Sequence, residues 1–336
     1  MFKLSDISKY RSVLMGIAIL EVVLAHFLFW AQMPSSFPLW VVKPLTGLVF
    51  TEGFLFLSGF GLYYSWRQNP DGSLFFKKRI SRLFIPYFII LLPFSIFSLF
   101  CSDLSVTQII ARQLTLKYWI WGKDGMWYIS VSLLLDALFP FLYGFIFKTN
   151  SRMLIRFFVV VAFFLLIPVL LCRYVPEYYK ATSLGIPKMW IFVVGMISGY
   201  FAFDNKKVKH LGLIYLALFI GAIPANISQN ELVKNIGDCL LRLVAIPLVC
   251  VCFNFIDRKA TYLKAVLEWF GKYSLEIYIL HLLIYEALMN TYYFFNIQEP
   301  VICYSRIVGV VSVVATMGSA KFIHEFILAK TKNFVK

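Results

Sequence analysis

Ten stretches of this chain are apolar over about the length that crosses a bilayer, and that repetition limits its fold more than any other feature. They cover residues 12–31, 44–66, 84–100, 126–147, 154–171, 187–203, 211–227, 236–256, 273–295 and 301–323. A spanning helix needs roughly 20 mostly apolar residues, and shorter or broken ones are tolerated where protein covers them. The expected fold class is therefore all-α: a polytopic integral membrane helical bundle of about ten transmembrane helices. The first stretch contains Glu21 and His26 and is not followed by a small-residue cleavage pattern. It reads as a retained span rather than a signal peptide.

Composition agrees. Hydrophobic residues make up 60% of the 336 and charged ones 15%, against about 45–50% and 25% in soluble domains. Such a chain has too little polar surface to cover itself in water. The six cysteines are scattered, with no CxxC pair and no metal-ligand spacing, so no metal is expected.

Charge placement gives the orientation. With the N-terminus inside, the segments on the cytoplasmic side carry 22 of the 32 basic residues and those outside carry 8: Lys43, Arg112, Lys117, Lys123, Arg173, Lys180, Lys188 and Lys234. The bias predicts both termini in the cytoplasm. It also accounts for the net charge of +15 without a nucleic-acid partner, since the charge is divided among short loops beside an anionic leaflet. The longest loop, 101–125, is polar and then runs into Trp119, Trp121 and Trp127, the composition of an interfacial segment. No internal repeat and no mirrored halves are visible, so residues 1–336 read as one membrane domain with no separate soluble domain.

An ionisable group at bilayer depth costs on the order of several kcal/mol unless it faces protein or water, which makes these residues the functional signal. Glu21 and His26 are five apart, about 140° around a helix, and do not share a face. His26 titrates near neutrality and could take a proton from an alcohol, or it could be an imidazole bonded for packing. Glu52 lies at a similar depth in the second span and could orient that imidazole, or bond a neighbouring helix. Ser58, Gly59 and Gly61 suit close helix packing, and a nucleophilic Ser58 lacks a G-x-S-x-G elbow.

Arg79 and Arg82 are three apart at the cytoplasmic start of the third span. They suit phosphate or pyrophosphate, or they simply set topology, and Arg11 on the same side is placed to join them. His281 falls near mid-membrane with Tyr278 and Tyr285 on adjoining turns, lining the same cavity or satisfied by a tyrosine. Asp238 and Arg242 are spaced to pair as i,i+4. His210 and His324 read as idle near the cytoplasmic surface, and Asp136 and Arg306 have no evident role.

The chain resembles the membrane-bound acyltransferase type 3 family. The resemblance rests on GIAILEVVLAHF at 16–27, FTEGFLFLSGFGLYYSW at 50–66, FFKKRISRLFIPYF at 75–88, MWYISVSLLLDALFP at 126–140 and KYSLEIYILHLLIY at 272–285. It implies that His26 is the histidine needed for acyl transfer and that Arg79 and Arg82 form the R-x-x-R contact for acyl-coenzyme A phosphates. Glu52 stands where the family usually has Asp, and His281 matches the late histidine beyond Tyr278. The family usually carries a basic residue eleven positions before the first histidine. That position here is Met15, and Arg11, one turn earlier, is the substitute. Some longer members of the family carry an extracellular esterase-like domain, and none is expected here.

The resemblance implies an O-acyltransferase of the cell membrane, multi-pass and in the bacterial inner membrane. The expected cosubstrate is acyl-coenzyme A, most simply acetyl-coenzyme A, with no tightly bound cofactor. The expected acceptor is a carbohydrate or glycolipid of the cell envelope, and the expected surroundings are the lipid bilayer. A transporter or flippase of a polysaccharide precursor is the alternative from another class.

Overall fold

The computed structural model describes residues 2–31, 47–257, 259–294 and 301–335. Lys43, Arg258 and Lys336 of the charge count, and the outermost residues of the runs 44–66 and 273–295, lie outside them. Among the described residues, ten helices of fourteen residues or more follow in order: α1 (Arg11–Ala31), α2 (Phe50–Gln68), α3 (Gly72–Cys101), α4 (Trp127–Phe147), α5 (Met153–Tyr174), α6 (Trp190–Phe203), α7 (Leu211–Asn226), α8 (Glu231–Ile256), α9 (Ser274–Phe294) and α10 (Val301–Val335). Each coincides with one of the ten apolar runs, and there is no strand among the described residues.

Seven helical segments are by themselves long and apolar enough to cross a membrane: those within α1, α3, α4, α5, α8 and α10, together with Ile186–Phe203, which contains α6. The remaining three differ for physical reasons. Helix α7 has 16 residues and spans roughly 24 Å at 1.5 Å per residue. Helices α2 and α9 include ionisable residues, Glu52 in one and Glu276, His281 and Glu286 in the other, and their polar stretches are wrapped by protein rather than lipid. In α2 almost every residue from Thr51 to Tyr63 is buried, so neighbouring helices supply the partners its polar groups need. The outer helices are the reverse, with Phe29, Phe141 and Phe255 at 74–80% exposure on what must be a lipid face.

Local signals explain several starts. The Asp71 side chain accepts the amide of Leu74 and opens α3, and Asn230 accepts those of Leu232 and Val233 and opens α8. The start of α2 is capped from another helix. Glu21 of α1 accepts the amides of Leu48, Val49 and Phe50 at 3.0, 2.9 and 2.6 Å. Phe50 sits at φ +46°, a conformation that side-chain-bearing residues rarely adopt, and these bonds hold it there. Helix α2 then presses against α6: a Cβ at Gly59 would lie 2.0 Å from the carbonyl oxygen of Phe192, and one at Gly195 2.1 Å from that of Phe56.

Segments expected on the same side of the membrane meet each other. At one end Arg67 reaches Asp204, and Asp257 takes Lys9 at 3.0 Å and Lys264 at 2.8 Å. Those two lysines, Lys264 foremost, hold the Asp257 carboxyl down at about 2. At the other end the 101–125 segment folds into helices Val106–Gln113 and Lys117–Trp121. Val106, Ile110, Leu114, Leu116, Ile120 and Trp121 are exposed there, as an interfacial segment requires. It is fastened by Tyr118, which donates to the carbonyl of Thr182 at 2.7 Å, and by Arg112, which forks onto Glu286 at 2.8 and 2.7 Å. Lys188 and Arg112, two of the eight basic residues counted on the outer side, are buried in ion pairs and do not act as free loop charges.

Candidate active site

Three guanidiniums from two helices converge on one cavity. Arg11 begins α1, while Arg79 immediately precedes, and Arg82 lies within, a π-helical turn at Ile80–Phe84 inside α3. All three line a cavity of about 160 Å³ enclosed by α1, α2, α3, α4 and α9. The wider π turn redirects one face of α3, a distortion that recurs at functional sites. Room for Arg11 is made by Gly61, where a Cβ would stand 2.7 Å from its Nη2. Met15 lines the same space. Arg11, one turn earlier, brings its guanidinium into that space.

The opposite wall is polar. Tyr128, Ser132 and Asp136 of α4 face the arginines together with Ser58 of α2. Asp136 is 5% exposed, and its Oδ1, like Nε of Arg79, makes no hydrogen bond among the described residues. One carboxylate against three guanidiniums leaves the cavity with an excess of positive charge. An accessible, underneutralised cluster of rigid forks, with Arg11 and Arg82 exposed and Arg79 half-buried, suits a polyanion such as a phosphate or pyrophosphate.

Tyr278 carries the cavity wall from the arginines toward the two histidines. Its hydroxyl donates to the carbonyl of Gly125 at 2.8 Å, and its ring lies 6.1 Å from that of His281. His26 Nδ1 is 2.9 Å from His281 Nε2, and His281 Nδ1 is 2.7 Å from the carbonyl oxygen of Ile277. His281 is fully buried, whereas His26 is half-buried. Trp30 lies nearly parallel to His26 at 5.7 Å and stacks on Tyr285 at 3.8 Å. His26 stands fifteen residues beyond Arg11 on one helix, roughly 22 Å along its axis.

Glu52 is placed differently from the expectation. Its carboxylate is held by Lys188 at 2.9 Å, by Nε of Arg242 at 3.1 Å and by the Thr51 hydroxyl at 3.1 Å. The partner of His26 is His281, so the anticipated Glu52–His26 pair is corrected to a Glu52–Lys188–Arg242 cluster. Arg242 continues to Asp238, as the i,i+4 spacing implied, and Asp238 accepts from the Asn226 side chain at the end of α7. Glu52 therefore joins α2, the turn before α6, and α8.

With the arginine cavity and the histidine pair in view, sequence comparison supplies the identity. A family profile described as an acyltransferase domain, that of the acyltransferase type 3 family, matches residues 12–320. The chain belongs to this family. No curated protein and no solved structure matches it. It is a multi-pass membrane acyltransferase.

Of the residues singled out from the acyltransferase sequence, Arg11, Ser58, Arg79, Arg82 and Tyr278 share the cavity, and His26 with His281 lies beyond Tyr278. Asp136 had no assignment, and its place opposite Arg79 appears only once α3 and α4 are packed. His324 is not the idle residue that its place near the cytoplasmic surface suggests. It is bonded at 2.7 Å to Glu276, a buried carboxylate on α9, and is corrected to a tie between α9 and α10. Glu21 gave no signal of its capping role, because its partners lie 27–29 residues away in sequence.

Proposed function

We propose that the acyltransferase takes an acyl group from acyl-coenzyme A, presented at the cytoplasmic face, and moves it to a hydroxyl of a cell-envelope carbohydrate or lipid-linked glycan. The observation that carries this reading is the convergence of Arg11, Arg79 and Arg82 on one cavity whose wall residue Tyr278 contacts His281, the partner of His26. Guanidinium forks at the open end bind the phosphates of the donor. The narrow arm that carries the thioester runs from the arginines along the cavity wall toward Tyr278. His26 acts as general base on the acceptor hydroxyl, and the alkoxide attacks the thioester carbonyl. The resemblance drawn from the sequence favours acetyl as the group, an envelope glycan as acceptor and the bacterial inner membrane as the location.

Proteoliposomes holding the protein in one orientation test this. Acyl-coenzyme A supplied on the arginine side, with a glycan acceptor on the other, should release free thiol, and the acceptor should gain the mass of the acyl group. Absence of both thiol release and coenzyme A binding across a range of acyl-coenzyme A donors and acceptors would overturn the reading and favour transport.

A further inference from the structure

We infer that His281 is a positioning residue that sets the tautomer of His26 and makes Nε2 of His26 the atom that moves the proton. The inference rests on the proposed role of His26 as base and extends it to the residue behind it. The hydrogen positions follow from the contacts. A carbonyl oxygen only accepts, so the 2.7 Å contact with Ile277 requires the hydrogen on Nδ1 of His281. In the neutral ring Nε2 is then an acceptor, and it faces Nδ1 of His26 at 2.9 Å. Nδ1 of His26 therefore carries the hydrogen and donates it. The remaining lone pair of His26 is on Nε2, on the far edge of the ring from His281.

This is the arrangement in which a backing acceptor fixes a catalytic imidazole, with a neutral imidazole in the place a carboxylate takes in serine hydrolases. The surroundings hold the geometry. Trp30 lies at 15° to the plane of His26, and its carbonyl accepts from Ser305 of α10. His281 is enclosed on α9, with its Nδ1 tied to its own helix one turn back. The two rings come from positions 255 residues apart, so their contact is a product of the fold rather than of local sequence.

The reaction then balances on a single atom. As the acceptor oxygen forms its bond to the thioester carbon, Nε2 of His26 takes the hydroxyl proton. When the carbon–sulfur bond breaks, Nε2 returns that proton to the coenzyme A thiolate. Between the two events the charge on His26 is shared through Nδ1–H with Nε2 of His281.

The test is nitrogen-15 spectroscopy of histidine-labelled full-length protein in nanodiscs, paired with steady-state transfer kinetics. The wild type should show His26 protonated at Nδ1 and bare at Nε2. His281→Gln, whose amide oxygen can still accept, should keep that tautomer and most of the rate. His281→Leu should mix the two tautomers and lower kcat by about 10–100-fold, with KM for acyl-coenzyme A within about twofold. A proton on Nε2 of His26 in the wild type, or an unchanged tautomer and kcat in His281→Leu, would overturn the inference. Should the wild type transfer no acyl group at all, the functional reading fails, and the tautomer of His26 still decides this one because it needs no turnover.

Discussion

At the scale of single residues, the charges of the bundle divide into buried ones already neutralised and more accessible ones left available. Glu52 is 2% exposed and saturated by Lys188 and Arg242, whereas Arg11, Arg79 and Arg82 have no carboxylate within ion-pair distance among the described residues. The first set holds helices together, and the second is free to bind. Removing one partner of a buried pair leaves the other charge uncompensated, at about 3–5 kcal/mol. Glu52→Gln should therefore lower the thermal midpoint of the detergent-purified protein sharply, while the fraction that remains folded binds coenzyme A normally. Unchanged stability with a selective loss of transfer would return Glu52 to a catalytic role. Sequence could name His26, His281, Glu52 and the arginines because ionisable groups stand out in apolar runs. It could not pair them, because depth along a helix fixes height in the membrane but not which neighbour a side chain faces.

At the scale of elements, two glycines of α2, two residues apart and therefore on different sides of the helix, separate packing from binding. Gly59 abuts the backbone of α6, with Phe192 oxygen 2.0 Å from any added Cβ, and a backbone atom cannot step aside without moving its helix. Gly61 abuts the far end of the flexible Arg11 side chain at 2.7 Å. Gly59→Ala should cost about 1–3 kcal/mol of stability by overpacking. Gly61→Ala should fold normally and weaken coenzyme A binding several-fold by displacing one guanidinium, on the order of 1 kcal/mol. Thermal melts and binding isotherms on both variants check this, and equal effects of the two on stability would contradict it. The helices themselves were legible, since every apolar run became one. The interruption of α3 by a π turn was not, because nothing in Ile80–Phe84 departs from ordinary helical composition.

At the scale of the whole molecule, α1 connects the two halves of the account. It carries Arg11 at one end and His26 roughly 22 Å further on, so one rigid rod spaces the anion clamp from the base. Fold class and family were readable from ten apolar runs and five short stretches. The cavity was not, because it needs five helices at once and one of its charged groups, Asp136, carries no motif of its own. The division of labour between the ends of α1 is the central claim. The direct test is calorimetric binding of coenzyme A together with single-turnover acyl transfer, measured on wild type, Arg79→Ala/Arg82→Ala and His26→Ala as folded, purified proteins. The arginine variant should lose tenfold or more in affinity, since a charge-assisted bond contributes about 1.5–3 kcal/mol. His26→Ala should bind within about twofold of wild type and transfer roughly 10²–10⁴ times more slowly. Normal coenzyme A affinity in the double arginine variant, or normal transfer without His26, would contradict the account.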